Sequence, residues 1–259
     1  MEGQFLTDRG QVREHNEDAG GIFYSMSNQM LAIIADGMGG HQAGDVASEL
    51  AVSLLKDTWQ ATDKKETPEQ METWLYSMIN EMNTAIYNLA QEKSEYQGMG
   101  ATLVIAASGD DFLTIAHIGD SRGYIYNEMG FSQLTEDHSL VNELVRTGEI
   151  SQEDARVHPR KNIVLKALGI EEQVTADIRS FSFEYGDKLL LCSDGLTDKI
   201  SNEELSSFLE MKKDLSVVTK ELIDLANERG GEDNISVIII QKQPSEKVGE
   251  DNVGRSPFK

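Results

Sequence analysis

Four aspartates in this chain stand beside short apolar runs, a setting that can hold carboxylates on rigid strand ends. Asp36 follows Met30-Leu31-Ala32-Ile33-Ile34-Ala35 and opens the stretch Asp36-Gly37-Met38-Gly39-Gly40-His41. Asp120 comes after Thr114-Ile115-Ala116-His117-Ile118-Gly119, and Asp194 after Leu189-Leu190-Leu191-Cys192-Ser193. Asp233 lies just before Ile235-Ser236-Val237-Ile238-Ile239-Ile240. Hard divalent cations such as Mg²⁺ and Mn²⁺ take oxygen ligands and keep several waters, so a few such carboxylates suffice to bind them. Asp36 and Asp194 follow their strands and Asp233 precedes its own, so an antiparallel arrangement brings all three to one end. Asp-Gly and Asp-Asn are also ordinary turn signals, so each aspartate alone carries little weight. Gly37 is expected to let the backbone turn sharply and to leave its carbonyl free to face a metal. Arg13-Glu14-His15-Asn16-Glu17-Asp18 adds a planar guanidinium fork, suited to a phosphoryl group, ahead of two adjacent carboxylates.

The elements that must carry these groups follow from periodicity. Val46, Ala47, Leu50, Ala51, Leu54 and Leu55 have helical spacing. Trp74, Leu75, Met78, Ile79, Met82, Ala85, Ile86 and Leu89 mark a second helix, started by Thr67 as cap, Pro68 at the first position and Gln70 closing a capping box. Their Met and aromatic stripes read as core packing. From residue 101 the pattern changes to strands at 102–107, 112–118 and 123–126, with later strands at 188–193 and 235–241. Strand, helices, strand cluster, strand, helix, strand does not alternate as a doubly wound sheet would. The expected fold is α+β, two antiparallel β-sheets packed as a sandwich and flanked by helices. A polar flap insertion at 136–170 holds a short helix near 140–146, within a domain spanning 1–242. Residues 243–259 are polar and aperiodic and read as a disordered tail.

Among 259 residues, 23 basic side chains face 45 acidic ones, a net charge of -22. That balance excludes nucleic acid and anionic membrane surfaces as natural partners. Cys192 is the only cysteine and sits inside an apolar strand, so it reads as a core residue in a reducing compartment. The N-terminus has no signal region, and no apolar run approaches the ~18 residues that span a bilayer. A soluble, cytoplasmic monomer without membrane insertion is expected.

Six segments, in order from about residue 5 to 240, carry a family resemblance: Arg13-Glu14-His15-Asn16-Glu17-Asp18, Asp36-Gly37-Met38-Gly39-Gly40, Gly98-Met99-Gly100-Ala101-Thr102, Gly119-Asp120-Ser121-Arg122, Ser193-Asp194-Gly195-Leu196 and Gly231-Glu232-Asp233-Asn234. Together they resemble the metal-dependent serine/threonine protein phosphatases of type 2C, in particular the compact bacterial members that counteract membrane-anchored serine/threonine kinases. The resemblance implies a centre of two Mn²⁺ or Mg²⁺ ions, with a possible third. Asp36 would bridge both metals, Asp194 and Asp233 would complete the first, and the Gly37 carbonyl would bind the second. Glu17 or Asp18 would reach the second metal mostly through water, and Asp120 with Asp194 would hold a third, weaker ion. Arg13 matches the phosphate-binding arginine.

Two cations ~3.5 to 4 Å apart can share a water, lower its pKa and present hydroxide in line with phosphorus. Phosphorylated proteins and a cognate kinase are the implied partners. Many eukaryotic relatives carry His where this chain has Met38, which cannot protonate a leaving alkoxide. His41 or a metal-bound water is the candidate substitute. His15, His117, His138 and His158 read as packing or surface groups, with His158 in the flap as a candidate substrate contact. Ser121 and Arg122 are expected to orient Asp120 and its strand, and Asn234 to buttress Asp233. A dinucleotide loop at Gly37-Met38-Gly39-Gly40 is disfavoured because Gln42 stands where a third glycine is needed. The remaining alternative is a non-catalytic, metal-dependent phosphopeptide-binding module, against which stands the presence of Asp36, Asp194 and Asp233.

Overall fold

Apolar strands buried on both faces organise this molecule, seen in a computed structural model that describes residues 1–40 and 43–243. In β3 (Met30–Met38), Leu31, Ile33 and Ala35 point to one layer while Met30, Ala32 and Ile34 point to the other. That alternation needs a partner on each side, which explains a continuous rather than alternating apolar sequence. One sheet runs β2 (Asp18–Tyr24), β3, β5 (Leu103–Ser108), β6 (Phe112–Ile118), β9 (Asp177–Ser182), with β4 (Gly100–Ala101) also paired to β3. The second runs β1 (Glu2–Asp8), β11 (Ile235–Gln241), β10 (Lys188–Cys192), β7 (Arg122–Asn127), β8 (Gly130–Gln133). Every pairing is antiparallel.

Three apolar layers result. Between the sheets lie Met30, Ile34, Val104, Leu189, Leu191, Ile238 and Ile240. Outside the first sheet, α1 (Ala43–Gln60) and α2 (Pro68–Glu92) bury Leu55, Trp59, Leu75, Met82 and Ile86 against Leu31 and Ile33. Outside the second, α5 (Asp194–Thr197), α6 (Asn202–Glu210) and α7 (Leu215–Glu228) cover Leu190, Val237 and Ile239. The helices, two sheets and helices expected from sequence are all present. The Thr67 hydroxyl accepts from Gln70 N–H as a cap should, but Gln70 reaches back to Glu66 N–H rather than closing a box on Thr67.

The flap holds α3 (Leu140–Arg146), capped by Ser139, and α4 (Gln152–Arg156), whose Ser151 and Asp154 form a capping box. Neither helix has a buried residue. The insertion is tied down at its base by bridges between Ser139 and Val164 and between Ala101 and Leu168. A Lys161–Asp198 ion pair joins it to the end of α5.

Strand limits differ from the sequence reading in ways that matter to the site. Asp36 and Gly37 do not follow β3 but lie inside it, because β4 extends the pairing to Gly37 and Met38. Thr102 stands between β4 and β5, and β10 ends at Cys192. Helix α1 extends well beyond residues 46–55 in both directions. His41, proposed as general acid, and residues 244–259 of the expected tail lie outside the described residues.

Candidate active site

Strand register and close packing at the strand ends assemble the acidic cluster. Asp18 sits directly across from Asp36 in the β2–β3 pairing. At the same end of the other sheet, Ser193 N–H donates to Ser236 O at 3.1 Å, which brings the end of β10 beside the start of β11. A Cβ on Gly195 would lie 3.4 Å from Asp233 Cβ, so the residue after Asp194 packs against Asp233.

The electrostatics are those of carboxylates forced together. Burial, then Asp18, Asp194, Asp120 and Asp233, hold the Asp36 carboxyl well above the usual range. Burial, then Asp120 and Asp233, do the same to Asp194. Asp36 and Asp194 retain some exposed surface, but their carboxyls are withdrawn enough for desolvation to lead. Asp18 is pushed up to about 6, mainly by burial, against the lowering effect of Ser236 and Ser193. Asp120 also rises to about 6, through burial and then Asp137. Asp18 Oδ2 accepts from Ser193 Oγ at 2.8 Å, yet Asp18 Oδ1 and Asp194 Oδ1 are buried without a hydrogen-bond partner. Unpaired, mutually repelling oxygens of this kind fit a hard divalent cation, which would supply the missing positive charge.

Gly37 has a reason for its identity other than the expected turn. A Cβ there would come within 2.1 Å of Gly44 O and 2.7 Å of Glu17 O, so the first turn of α1 and the Glu17 backbone press directly on β3. Gly37 N–H also donates to Glu17 O at 3.0 Å. Gly37→Ala is therefore expected to destabilise the fold by about 1–3 kcal/mol through overpacking. Thermal melting of the chelated variant checks this; an unchanged midpoint would contradict the close packing.

Arg13 projects from the β1–β2 loop at the rim of the cluster, and its Nη2 lies 2.7 Å from Asp233 Oδ2. A guanidinium over an acidic, cation-fitting cluster is an arrangement for a phosphate ester. The sequence profile of protein phosphatase 2C matches residues 8–231. The chain belongs to the protein phosphatase 2C family. It is a metal-dependent phosphoprotein phosphatase of the serine/threonine class. The serine/threonine phosphatase stp of Listeria monocytogenes is 50% identical over 95% of this chain and 98% of its own length. Among solved structures, the serine/threonine phosphatase Stp1 of Staphylococcus aureus superposes with a TM-score of 0.90 at 42% identity, covering 94% of this chain and 95% of that one. The PstP catalytic domain, solved in complex with 2 manganese ions, matches with a TM-score of 0.80 at 32% identity, over 92% of this chain and 96% of that one.

Beside the cluster the phosphatase has a cavity of about 670 Å³, lined by Asp120 and Asp194 on one side and by Asn142, Arg156 and Lys161 of the flap on the other. Arg122 does not serve Asp120 by a direct bond. It donates to both oxygens of Asp137 and to Tyr124 OH, fastening β7 to the flap base, while Ser121 Oγ bonds Thr102 Oγ1. Cys192 is fully buried and its thiol is raised to about 12 by burial, an inert core group.

His117, His138 and Asp177 also bring ligand atoms within 4.8 Å of one another. Their geometry argues for packing instead. The rings stack at 4.9 Å and 12°, whereas a shared metal must lie near the plane of both. His117 Nε2 bonds Glu136 O, and His138 Nδ1 accepts from Gly119 N–H, which leaves the His138 proton on Nε2 toward Asp177. Sequence reasoning missed Asp45 in the first turn of α1. Its Oδ1 is buried without a partner, and after burial it is the largest influence raising Glu17. Its only signal was an acidic residue just beyond the glycine-rich stretch.

Proposed function

We propose that this phosphatase hydrolyses phosphoserine and phosphothreonine esters on proteins, using two Mn²⁺ or Mg²⁺ ions with a weaker third. The observation that carries the reading is the gathering of Asp18, Asp36, Asp120, Asp194 and Asp233, with buried unpaired oxygens on Asp18 and Asp194 and the Arg13 guanidinium on Asp233 at its rim. Asp36 would be shared by two ions, with Asp194 and Asp233 on the first. The Gly37 carbonyl, with Glu17 or Asp18 mostly through water, would serve the second, and Asp120 with Asp194 the third. When bound, the ions supply a water of lowered pKa and positive charge against the phosphoryl oxygens.

The chain's own residues do the rest. Arg13 exchanges its contact with Asp233 for equatorial phosphoryl oxygens, which its planar fork can hold in pairs. Met38, in β3, has no proton to give, so His41 or a water protonates the leaving alkoxide. The cleft under the flap would receive the polypeptide around the phosphosite. The catalytic unit spans 1–242 with the flap at 136–170, supported by β1–β11 pairing from Glu2↔Gln241 to Asp8↔Ile235. Its working context would be a monomer in the bacterial cytoplasm opposing a serine/threonine kinase, in keeping with a free, buried Cys192. No helix among the described residues is long and apolar enough to cross a membrane.

The test is hydrolysis of p-nitrophenyl phosphate and phosphothreonine peptides with Mn²⁺ or Mg²⁺. A chelator should abolish turnover. Arg13→Ala should lower kcat/KM about 10²–10³-fold, roughly 2.7–4 kcal/mol by analogy with other oxyanion donors. Turnover insensitive to chelation would defeat the metal-dependent reading.

A further inference from the structure

The loop that presents Arg13 is held at both of its ends by one buried amide. Asn234, 4% exposed, donates through Nδ2 to Arg9 O at 2.8 Å and to His15 O at 2.9 Å. Its Oδ1 accepts from Glu17 N–H at 2.8 Å. Both amide hydrogens are thus committed to the same loop, on either side of Arg13. Val12, Arg13, Glu14 and His15 are themselves exposed, so side-chain packing does not fix this segment. Other ties are Gln11 N–H to Gly231 O at 2.7 Å and Asn16 Nδ2 to Thr7 Oγ1 at 2.8 Å nearer its ends, and a longer bond of 3.4 Å from the exposed Arg9 Nη1 to Glu14 O inside it. The Asn234 backbone N–H, meanwhile, donates to Asp233 Oδ1 at 2.8 Å, leaving Oδ2 to face Arg13.

We propose that Asn234 is the positioning residue for Arg13: its side chain closes the Arg9–His15 loop so that the guanidinium stands over the Asp233 end of the metal cluster. The proposal rests on the reading of Arg13 as the phosphate ligand. It goes beyond a buttress for Asp233, because the side chain and the backbone of Asn234 do separate jobs. The backbone N–H orients Asp233, and any residue at 234 other than proline retains it. The amide orients Arg13, and no smaller side chain can reach both carbonyls. A group held loosely by an exposed loop loses the alignment on which rate depends, and a misplacement of about 1 Å can cost on the order of 10²-fold.

Asn234→Ala should therefore lower kcat/KM for p-nitrophenyl phosphate about 10–100-fold, the range for residues that orient a primary ligand. It should raise the inhibition constant of inorganic phosphate in parallel, while calorimetric Mn²⁺ affinity stays within about threefold of wild type, because the Asp233 contact survives and Glu17, which loses its backbone tie to Asn234 Oδ1, would reach its ion only through water. In an Arg13→Ala background the same change should cost less than about threefold, since the group it positions is gone. Asn234→Asp keeps the acceptor for Glu17 N–H and loses both donors, so it should show the same loss of kcat/KM and of phosphate affinity if the alanine variant is too unstable to assay, its added charge bearing on Mn²⁺ affinity alone.

Losses that multiply in the double variant, or Mn²⁺ binding that weakens along with phosphate binding, would overturn the clamp while leaving the Arg13 reading intact. Loss of a cooperative melt in both variants would assign Asn234 to folding and overturn it as well. If Arg13→Ala alone left kcat/KM unchanged, the phosphate role of Arg13 would fall first and take the clamp with it.

Discussion

Asp36→Asn should reduce kcat/KM by at least about 10³-fold and, in the same protein, raise the melting temperature measured in chelator. The activity loss follows from the central place of Asp36, whose carboxyl faces Asp18, Asp194, Asp120 and Asp233. Removing it takes away the proposed shared ligand, at or above the upper end of what one preorganised electrostatic group contributes. Stability moves the other way because metal-free Asp36 is a desolvated carboxyl among like charges, and the amide is nearly isosteric without the charge. Backbone bonds such as Thr102 N–H to Asp36 O at 2.9 Å are untouched. A gain of about 1–3 kcal/mol is the scale for relieving one buried unfavourable group, or roughly 2–12 °C at about 2–4 °C per kcal/mol. Mn²⁺ should then add little, whereas the wild-type protein gains about 2.7 kcal/mol at a hundredfold excess over its dissociation constant. Scanning fluorimetry with and without Mn²⁺ reads both effects. A chelated Asn variant that melts below wild type would show that Asp36 has a structural partner and would count against the cluster.

The large features of this fold were legible because they depend on burial. Runs such as Leu189-Leu190-Leu191 and Ile238-Ile239-Ile240 can be satisfied only by cover on both faces, and they form the centre of the second sheet. The stripe of α2 and its Thr67 start are written in 3.6-residue spacing and capping chemistry. Strands β1, β2 and β9 were not legible. They carry few fully buried side chains, and β2 contains Gly20 and Gly21, which weaken any strand signal. Gly20 is there because a Cβ would sit 2.6 Å from Ile33 O and 3.1 Å from the Phe5 ring, a requirement set by a neighbouring strand. The site divides along the same line. Carboxylates beside apolar runs announced themselves, and register brought Asp18 opposite Asp36. The part of Asp45 and the three side-chain bonds of Asn234 depend on tertiary approach, which composition and spacing do not encode. The Gly37 turn failed for a related reason: Asp-Gly suits a turn locally, but pairing with Ala101 keeps it in the strand.

The chelated protein should grow more stable as pH falls from about 7.5 to 5.5, the reverse of ordinary acid denaturation. Asp18 and Asp120 are raised from 3.8 to about 6, and Asp36 and Asp194 are held well above the usual carboxylate range. Groups raised in this way bind protons more tightly folded than unfolded. Their stabilising contribution is complete below the unfolded value and is lost as pH rises through the folded one. For a group raised as Asp18 or Asp120 is, about 1 kcal/mol of this falls between pH 7.5 and 5.5, and the rest appears only as pH approaches the unfolded value. Deeper acidification works against this, because carboxylates such as Glu204, held down to about 2 first by its bond to Arg229, lose their stabilising charge as pH falls through that range. A stability maximum below neutrality is therefore expected without metal. Divalent cations compete for the oxygens that the protons occupy, so the Mn²⁺-induced rise in melting temperature should be largest above pH 7 and shrink as pH falls through 6. Melting curves across that interval, with chelator and with saturating Mn²⁺, separate the two behaviours. A chelated protein whose midpoint falls steadily from pH 7.5 to 5.5 would mean that these carboxylates are not raised by burial and mutual repulsion, and would count against the cluster.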